Sequence, residues 1–251
     1  MRKYKYAKET LDVALEGLQS EDVAQRKKSA RFIKMASCSE IFGKTCDTLG
    51  VQAWFLSSEN YEKLIATLLN ESEGKLIWEY LSILGMVCRR YVDHSCYGKD
   101  FAKQQICVTY KERTYEIAKQ FSHHSSSIVR QMSASIMSYR GDSNAWDIFC
   151  NVMLKKRDLC TISHITGAIG RYCYYTNRKI DDNFIGGTMT DRQQINLSNS
   201  LQSIYQHTSN KSIKGMCLTA IQELKSIKED GKVAIYLATD SEEVKREMKE
   251  R

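Results

Sequence analysis

The sequence predicts an all-α protein, and three observations carry that expectation. Among 251 residues there is no proline and there are only 13 glycines, so long stretches lack the residues that break or weaken a helix. Apolar side chains recur at three- and four-residue spacing, as at Ile162, Ile165, Ile169 and Tyr172, which places them on one helix face. The breaks between such stretches, among them SSEN, NESEG, HHSSS, RGDS and HTSNKS, are short and polar, as in turns between paired helices. A hydrophobic content of 42% is enough for a substantial core, and the whole chain, 1–251, reads as one domain.

Taken in order, the segments fall into five pairs, each a polar-started helix followed by a second one. YAKETLDVALEGL precedes QRKKSARFI (25–33), and ENYEKLIATLL precedes KLIWEYLSILGMV (75–87). ERTYEIAKQF precedes VRQMSASIM (129–137), and SNAWDIFCNVML precedes CTISHITGAIGRYC (160–173). DRQQINLSNSLQSIY, opened by the capping-box pair Thr190 and Gln193, precedes IKGMCLTAI (213–221). DSEEVKREMKE (240–250) reads as a terminal capping helix, and 91–110 and 176–190 read as insertions. The expected core is Leu15, Leu18, Ile33, Leu68, Leu81, Leu84, Ile117, Phe121, Ile136, Ile148, Ile165, Ile169, Leu201, Ile204, Ile221 and Leu224.

Three of the second segments share a pattern. QRKKSARFI, VRQMSASIM and IKGMCLTAI each carry a basic residue second (Arg26, Arg130, Lys214), a small residue fifth (Ser29, Ser133, Cys217) and an apolar pair at the end. Arg130 and Lys214 are two periods of about 42 residues apart, in the range of HEAT and armadillo repeats. On these residues the chain resembles a degenerate HEAT-like α-solenoid of about five antiparallel hairpins plus a C-terminal capping helix. In such a stack the small slot lets neighbouring helices approach closely, and Arg26 is placed to pair with Asp22 four residues before it.

The resemblance implies that the second helices line a concave groove. The helical sectors away from the apolar stripes then nominate Lys27, Arg31 and Lys34 on the first; Glu79, Ser82 and Arg89 on the second; Gln131, Ser135 and Ser138 on the third; Ser163, Thr166 and Gly170 on the fourth; and Thr219 and Gln222 on the fifth. The expected groove has a small, neutral floor and a basic wall at its N-terminal end, and its expected occupant is another protein chain. Small solitary bacterial α-solenoids include immunity proteins that neutralise a cognate toxin by binding it, so the resemblance implies a toxin domain as one such partner.

Chemistry is harder to find in the sequence than architecture. GxGxxG, the P-loop pattern and HExxH are all absent. His123 and His124 read as turn residues, with Ser125 placed to cap the next helix; His164 reads as a partly buried helix residue; Gly186 and Gly187 read as a turn. The nine cysteines include no CxxC pair and read mostly as reduced core residues. Cys88, His94, Cys96 and Cys107 match none of the paired zinc spacings, so no metal or cofactor is expected. The formal charge of +7 is spread along the chain with no basic domain or tail, and QRKKSARFIK is the one dense patch. The most apolar run, 74–88, contains Glu79 and is closed by Arg89 and Arg90, short of the roughly 20 residues a membrane span needs. A cytoplasmic location is expected. The alternative is a nucleic-acid enzyme resembling the HEAT-like DNA alkylation-repair glycosylases, drawing on Trp54, Trp78, Trp146 and the tyrosines at 172, 174 and 175 beside Arg171 and Arg178. Trp54 and Trp78 read as core, and no acidic residue is convincingly placed beside them.

Overall fold

The computed structural model of the chain describes residues 4–38, 47–88, 105–178 and 189–226. Among them are eleven helices and no strand: α1 (Lys8–Gly17), α2 (Val23–Cys38), α3 (Thr48–Phe55), α4 (Ser58–Leu69), α5 (Gly74–Val87), α6 (Gln105–Phe121), α7 (Ser127–Tyr139), α8 (Asn144–Lys155), α9 (Leu159–Arg178), α10 (Asp191–His207) and α11 (Lys211–Ser226). The ten paired segments are all helical. α3 is an addition, and α6 and α9 extend into stretches expected as insertions. The terminal helix expected at 240–250 and most of both expected insertions lie outside the described residues.

Contacts divide the chain into two compact units, 1–117 and 118–251, with the boundary inside α6; each unit is taken by itself. In the first, α2 packs between α1 and α5, while α3 fits against α1, α2 and α4. In the second, α9 lies between α7 and α11, α8 backs α7, and α10 backs α11 and meets α8. The second helices α2 and α5 of the first unit, and α7, α9 and α11 of the second, therefore lie side by side, with α1 and α4 behind the former and α8 and α10 behind the latter.

Local chemistry sets the helix ends. Asp22 Oδ1 accepts from the Ala24 N–H, Asp158 Oδ1 from Thr161 and Asn210 Oδ1 from Ser212 and Ile213, so carboxylate and amide oxygens take amides left open at the starts of α2, α9 and α11. Thr190 and Gln193 form the expected capping box, and Gln193 Nε2 also donates to Ser143 O and Asp147 Oδ2, tying the start of α10 to that of α8. The turn after α7 needs Gly141, whose φ is 73°; its N–H donates to Ser138 O and that of Asp142 to Met137 O, closing the helix. Before α7 the expected cap is replaced: Ser126 is the N-cap, and its N–H donates to His124 Nδ1.

The expected core is buried except at two positions, Phe121 and Ile148, which are half-buried. Phe121 is the last residue of α6, its ring 6.1 Å from that of His124 in the turn. Ile148 stands at the edge of a stripe whose buried members are Ala145, Trp146, Phe149, Val152 and Met153. Trp54 is buried as expected; Trp78 is a correction, half-buried with Lys34 Nζ 3.7 Å from its ring centroid.

The small slot is buried in all three copies: Ser29 is 4% exposed, Ser133 and Cys217 0%. A Cβ added at Gly17 of α1 would collide with the Ser29 hydroxyl, so the two helices approach as closely as their side chains allow. Ser133 Oγ is buried without a hydrogen-bond partner. Ser133→Ala, which removes that hydroxyl, is therefore expected to leave stability unchanged or raise it by about 1 kcal/mol in urea unfolding. Ser133→Leu, which must displace helix neighbours, is expected to lower it by about 1–3 kcal/mol.

The basic slot does something other than pair along its own helix. Arg26 Nη1 donates to Ser20 O and Glu21 O, both at 3.0 Å, and its Nε to Glu71 Oε2 at 3.1 Å. Asp22, the partner expected from i,i+4 spacing, instead uses Oδ1 on Ala24. Arg130 repeats the arrangement, with Nη1 2.7 Å from both His124 O and Ser125 O. In each copy the guanidinium reaches back to the carbonyls five and six residues earlier and holds the turn that starts its helix. Lys214 keeps the charge but lies 5.3 Å from the Tyr205 ring centroid.

Candidate functional site

In the first unit the expected basic wall is built into the protein. Lys27 Nζ lies 3.6 Å from Glu73 Oε1 and Lys34 Nζ 2.7 Å from Glu79 Oε2, and with Arg26–Glu71 these pairs form a ladder from α2 to α5 and the turn before it. Glu79, expected on the groove, is the acid of one rung. Arg31 alone of the three wall residues is exposed without an ion pair among the described residues. Ser82 is buried, 8% exposed, and Arg89 lies outside the described residues.

The second unit corrects the expected floor. Gln131, Ser135 and Ser138 are buried at 3, 8 and 5% exposure. α7 is enclosed along nearly its whole length, since every residue from Val129 to Ser138 except Arg130 is buried. The small serines make that possible: Ser138 Oγ donates to Ser135 O at 2.8 Å, so a hydroxyl is satisfied by its own helix, and Gln131 Nε2 reaches Thr161 O on α9 at 3.4 Å. An arginine at Ser138 would thus test folding and not a surface.

The remaining floor residues do reach a surface. On α9, Ser163 is exposed and Thr166 and Gly170 are half-buried; on the adjacent α11, Thr219 and Gln222 are half-buried. Thr166 Oγ1 donates to Ile162 O at 2.8 Å, so its hydroxyl is satisfied by its own helix. Small side chains bring the two helices together. Sequence reading missed Glu223, whose carboxylate oxygens lie 3.1 Å from where a Cβ on Gly170 would sit. The glycine leaves room for that acid, and the signal was a contact between helices that helical periodicity does not encode.

Burial pushes the Glu223 carboxyl up to about 7 from its ordinary 4.5. The folded chain therefore holds this proton more tightly than the unfolded chain does. The stability carried by the neutral form is complete below pH 4.5 and is lost as the pH rises through about 7. Because the group is partly exposed, the expected loss is about 1–2 kcal/mol. Urea unfolding from pH 4.5 to 8 should show that slope, and Glu223→Gln should remove it.

Among the described residues of the first unit, pockets open on opposite sides of α1. One, of about 630 Å³, is lined from α1, α3 and α4. Its charges answer one another: Lys8 Nζ is 2.7 Å from Asp12 Oδ2, Lys63 Nζ is 2.6 Å from Glu59 Oε1, and Trp54 Nε1 donates to Asp12 Oδ1 at 2.8 Å. The Lys8 hydrogen bond, with help from Trp54, holds the Asp12 carboxyl below its ordinary range. An acid is thus beside a tryptophan 42 residues away in sequence, a pairing that sequence reading did not find. It is engaged in holding α1 to α3, and Trp54, 2% exposed, presents no ring face for a base to stack on. The other pocket, of about 720 Å³, opens between α1 and α2 and is mostly apolar, with Tyr6, Val13, Ala14 and Phe32 in its wall.

Of the cysteine–histidine set, His94 and Cys96 lie outside the described residues, as does the Cys107 side chain. Cys88 is buried, with Sγ 3.2 Å from Thr114 Oγ1. Cys173 and Cys217 are buried as expected, Cys150 is half-buried and Cys160 is exposed. His164 is half-buried. Among the described residues no helix is long and apolar enough to cross a membrane. Comparison of the chain with known families, curated proteins and solved structures finds no match in any of the three.

Proposed function

We propose that the chain is a non-catalytic, cytoplasmic protein-binding module of the HEAT-like kind, in which the five helix pairs continue as one solenoid and a partner protein seats on the layer of second helices. The observation that carries this reading is the small-residue surface shared by α9 and α11, where Ser163, Thr166 and Thr219 leave a partner room for close approach beside Glu223, which fills the space over Gly170. The recurrence of the arginine-to-turn hydrogen bonds at Arg26 and Arg130 supports the repeat part of it. A toxin domain is the partner class that the repeat resemblance suggests.

The test is co-expression with the product of the neighbouring gene, and recovery of the tagged chain from its native cells, followed by two surface variants. Ser163→Arg and Thr219→Arg are expected to keep the helical circular dichroism spectrum and to release a partner that the unaltered chain retains in stoichiometric amount. Retention by both variants would remove the α9–α11 surface from the reading. Release of methylated bases from alkylated duplex DNA, lost on changing Trp78, would replace it with the glycosylase reading.

A further inference from the structure

The basic residues of α2 are divided between its two sides. Arg26, Lys27 and Lys34 turn toward α5 and the turn before it, where Glu71, Glu73 and Glu79 meet them. Lys28 and Arg31 turn the other way, into the wall of the 720 Å³ pocket, and are exposed with no acid partner among the described residues. Lys5, before α1, joins them there, with Glu9 as the one acid in the wall among the described residues. Between these cations the surface is apolar: Val13 is 69% and Met35 48% exposed, beside Phe32, whose ring packs on the buried Tyr6 at a centroid distance of 5.1 Å.

The first hairpin thus offers similar chemistry on both flanks, an apolar stripe edged by cations, and among the described residues one flank is occupied and the other open. α5 shows what fits: a helix with an apolar face and carboxylates placed against the α2 cations. We infer that the open flank, the groove between α1 and α2, is a docking site for an amphipathic, acidic helix of a partner protein. The helix lays its apolar stripe on Val13, Phe32 and Met35 and sets its carboxylates against Lys5, Lys28 and Arg31. α1 is ten residues long, so about 15 Å of partner helix, roughly three turns, covers the groove. The proposal concerns a surface separate from the α9–α11 layer and stands or falls independently of it.

The experiment uses the full chain and two fluorescein-labelled 14-residue helical peptides with the same leucine stripe, one edged with glutamates and the other with lysines, followed by fluorescence anisotropy. The acidic peptide is expected to bind about tenfold or more tightly than the basic one, from two or three cation–carboxylate contacts added to apolar burial. Val13→Asp should weaken it about tenfold. Lys28→Glu with Arg31→Glu should invert the preference, whereas Lys155→Glu with Lys225→Glu, the same change in net charge on exposed residues of the second unit, should leave it intact. Ser163→Arg and Thr219→Arg, which test the α9–α11 surface, should also leave it intact. Equal binding by the Val13→Asp chain, or equal loss in the Lys155/Lys225 variant, would show attraction by net charge alone and overturn the proposal. A concentration-dependent dimer in sedimentation, dispersed by Val13→Asp, would assign the groove to a second copy and overturn it as well, as would the absence of peptide binding.

Discussion

Trp146→Ala is expected to lower the stability of the protein by about 3–5 kcal/mol, the range for deleting a fully buried tryptophan. Trp146 on α8 is 0% exposed. Its ring meets Tyr172 of α9 edge to face at a centroid distance of 4.9 Å and lies 5.9 Å from Phe149, a geometry that adds to plain burial. The alanine leaves a cavity between two helices that are pinned elsewhere, since α8 is tied to α10 through Gln193 and α9 is packed on both α7 and α11, so collapse into it is restricted. Trp146→Phe is the control. The indole Nε1 is buried without a hydrogen-bond partner, so phenylalanine removes an unsatisfied donor while shrinking the ring, and the expected loss falls to about 1 kcal/mol. Urea unfolding followed by circular dichroism measures both. If the two variants lose equally, the ring contacts with Tyr172 and Phe149 are not what holds α8 to α9.

Trp146 also marks what was legible in the sequence. The helices were readable because apolar spacing, polar breaks and the small slot each state something local: Ser29, Ser133 and Cys217 were assigned to packing from their place in the pattern, and all three are buried. α3 was not readable because TLGVQAWF is only eight residues long and mostly apolar, too short a stretch for periodicity to separate a polar face from the core. The burial of Ser135 and Ser138 was hidden for a different reason. A helical wheel assigns polarity, and a serine that can donate to its own helix, as Ser138 does to Ser135 O, is buried at little cost.

The candidate site was less legible than the fold, since its character depends on which side chains meet across helices. Lys27 and Lys34 looked like a wall for a partner, but Glu73 and Glu79 on the next second helix and its turn take them. Arg31 belongs instead with Lys28 and Lys5 around the α1–α2 pocket. Asp12 beside Trp54 and Glu223 over Gly170 are likewise juxtapositions of residues distant in sequence. No spacing rule within a single helix contains them.

The repeated arginine is where a sequence pattern and its physical cause differ most, and it yields the second large expected effect. Arg130→Met should cost about 2–3 kcal/mol, from the loss of two charge-assisted hydrogen bonds to main-chain carbonyls, each in the range of 1.5–3 kcal/mol before methionine packing offsets part of the loss. The acceptors, His124 O and Ser125 O, are in the turn between α6 and α7 and each stands 2.7 Å from Nη1. Were the basic slot present only to pair along its helix, the loss would be about 0.3–0.5 kcal/mol and would vanish in salt. Hydrogen bonds to uncharged carbonyls are much less sensitive to screening, so the expected loss persists in 0.5 M salt. Arg130→Lys is the informative companion: the third copy already carries Lys214, yet its ammonium lies by the Tyr205 ring and not as a bridge over two carbonyls. Lysine at 130 is therefore expected to recover no more than about half of the loss, because one flexible ammonium replaces a planar donor set. Full recovery by lysine would mean that charge alone occupies this slot, and the arginine-to-turn bonds at 26 and 130 would then lose their standing as a repeat feature.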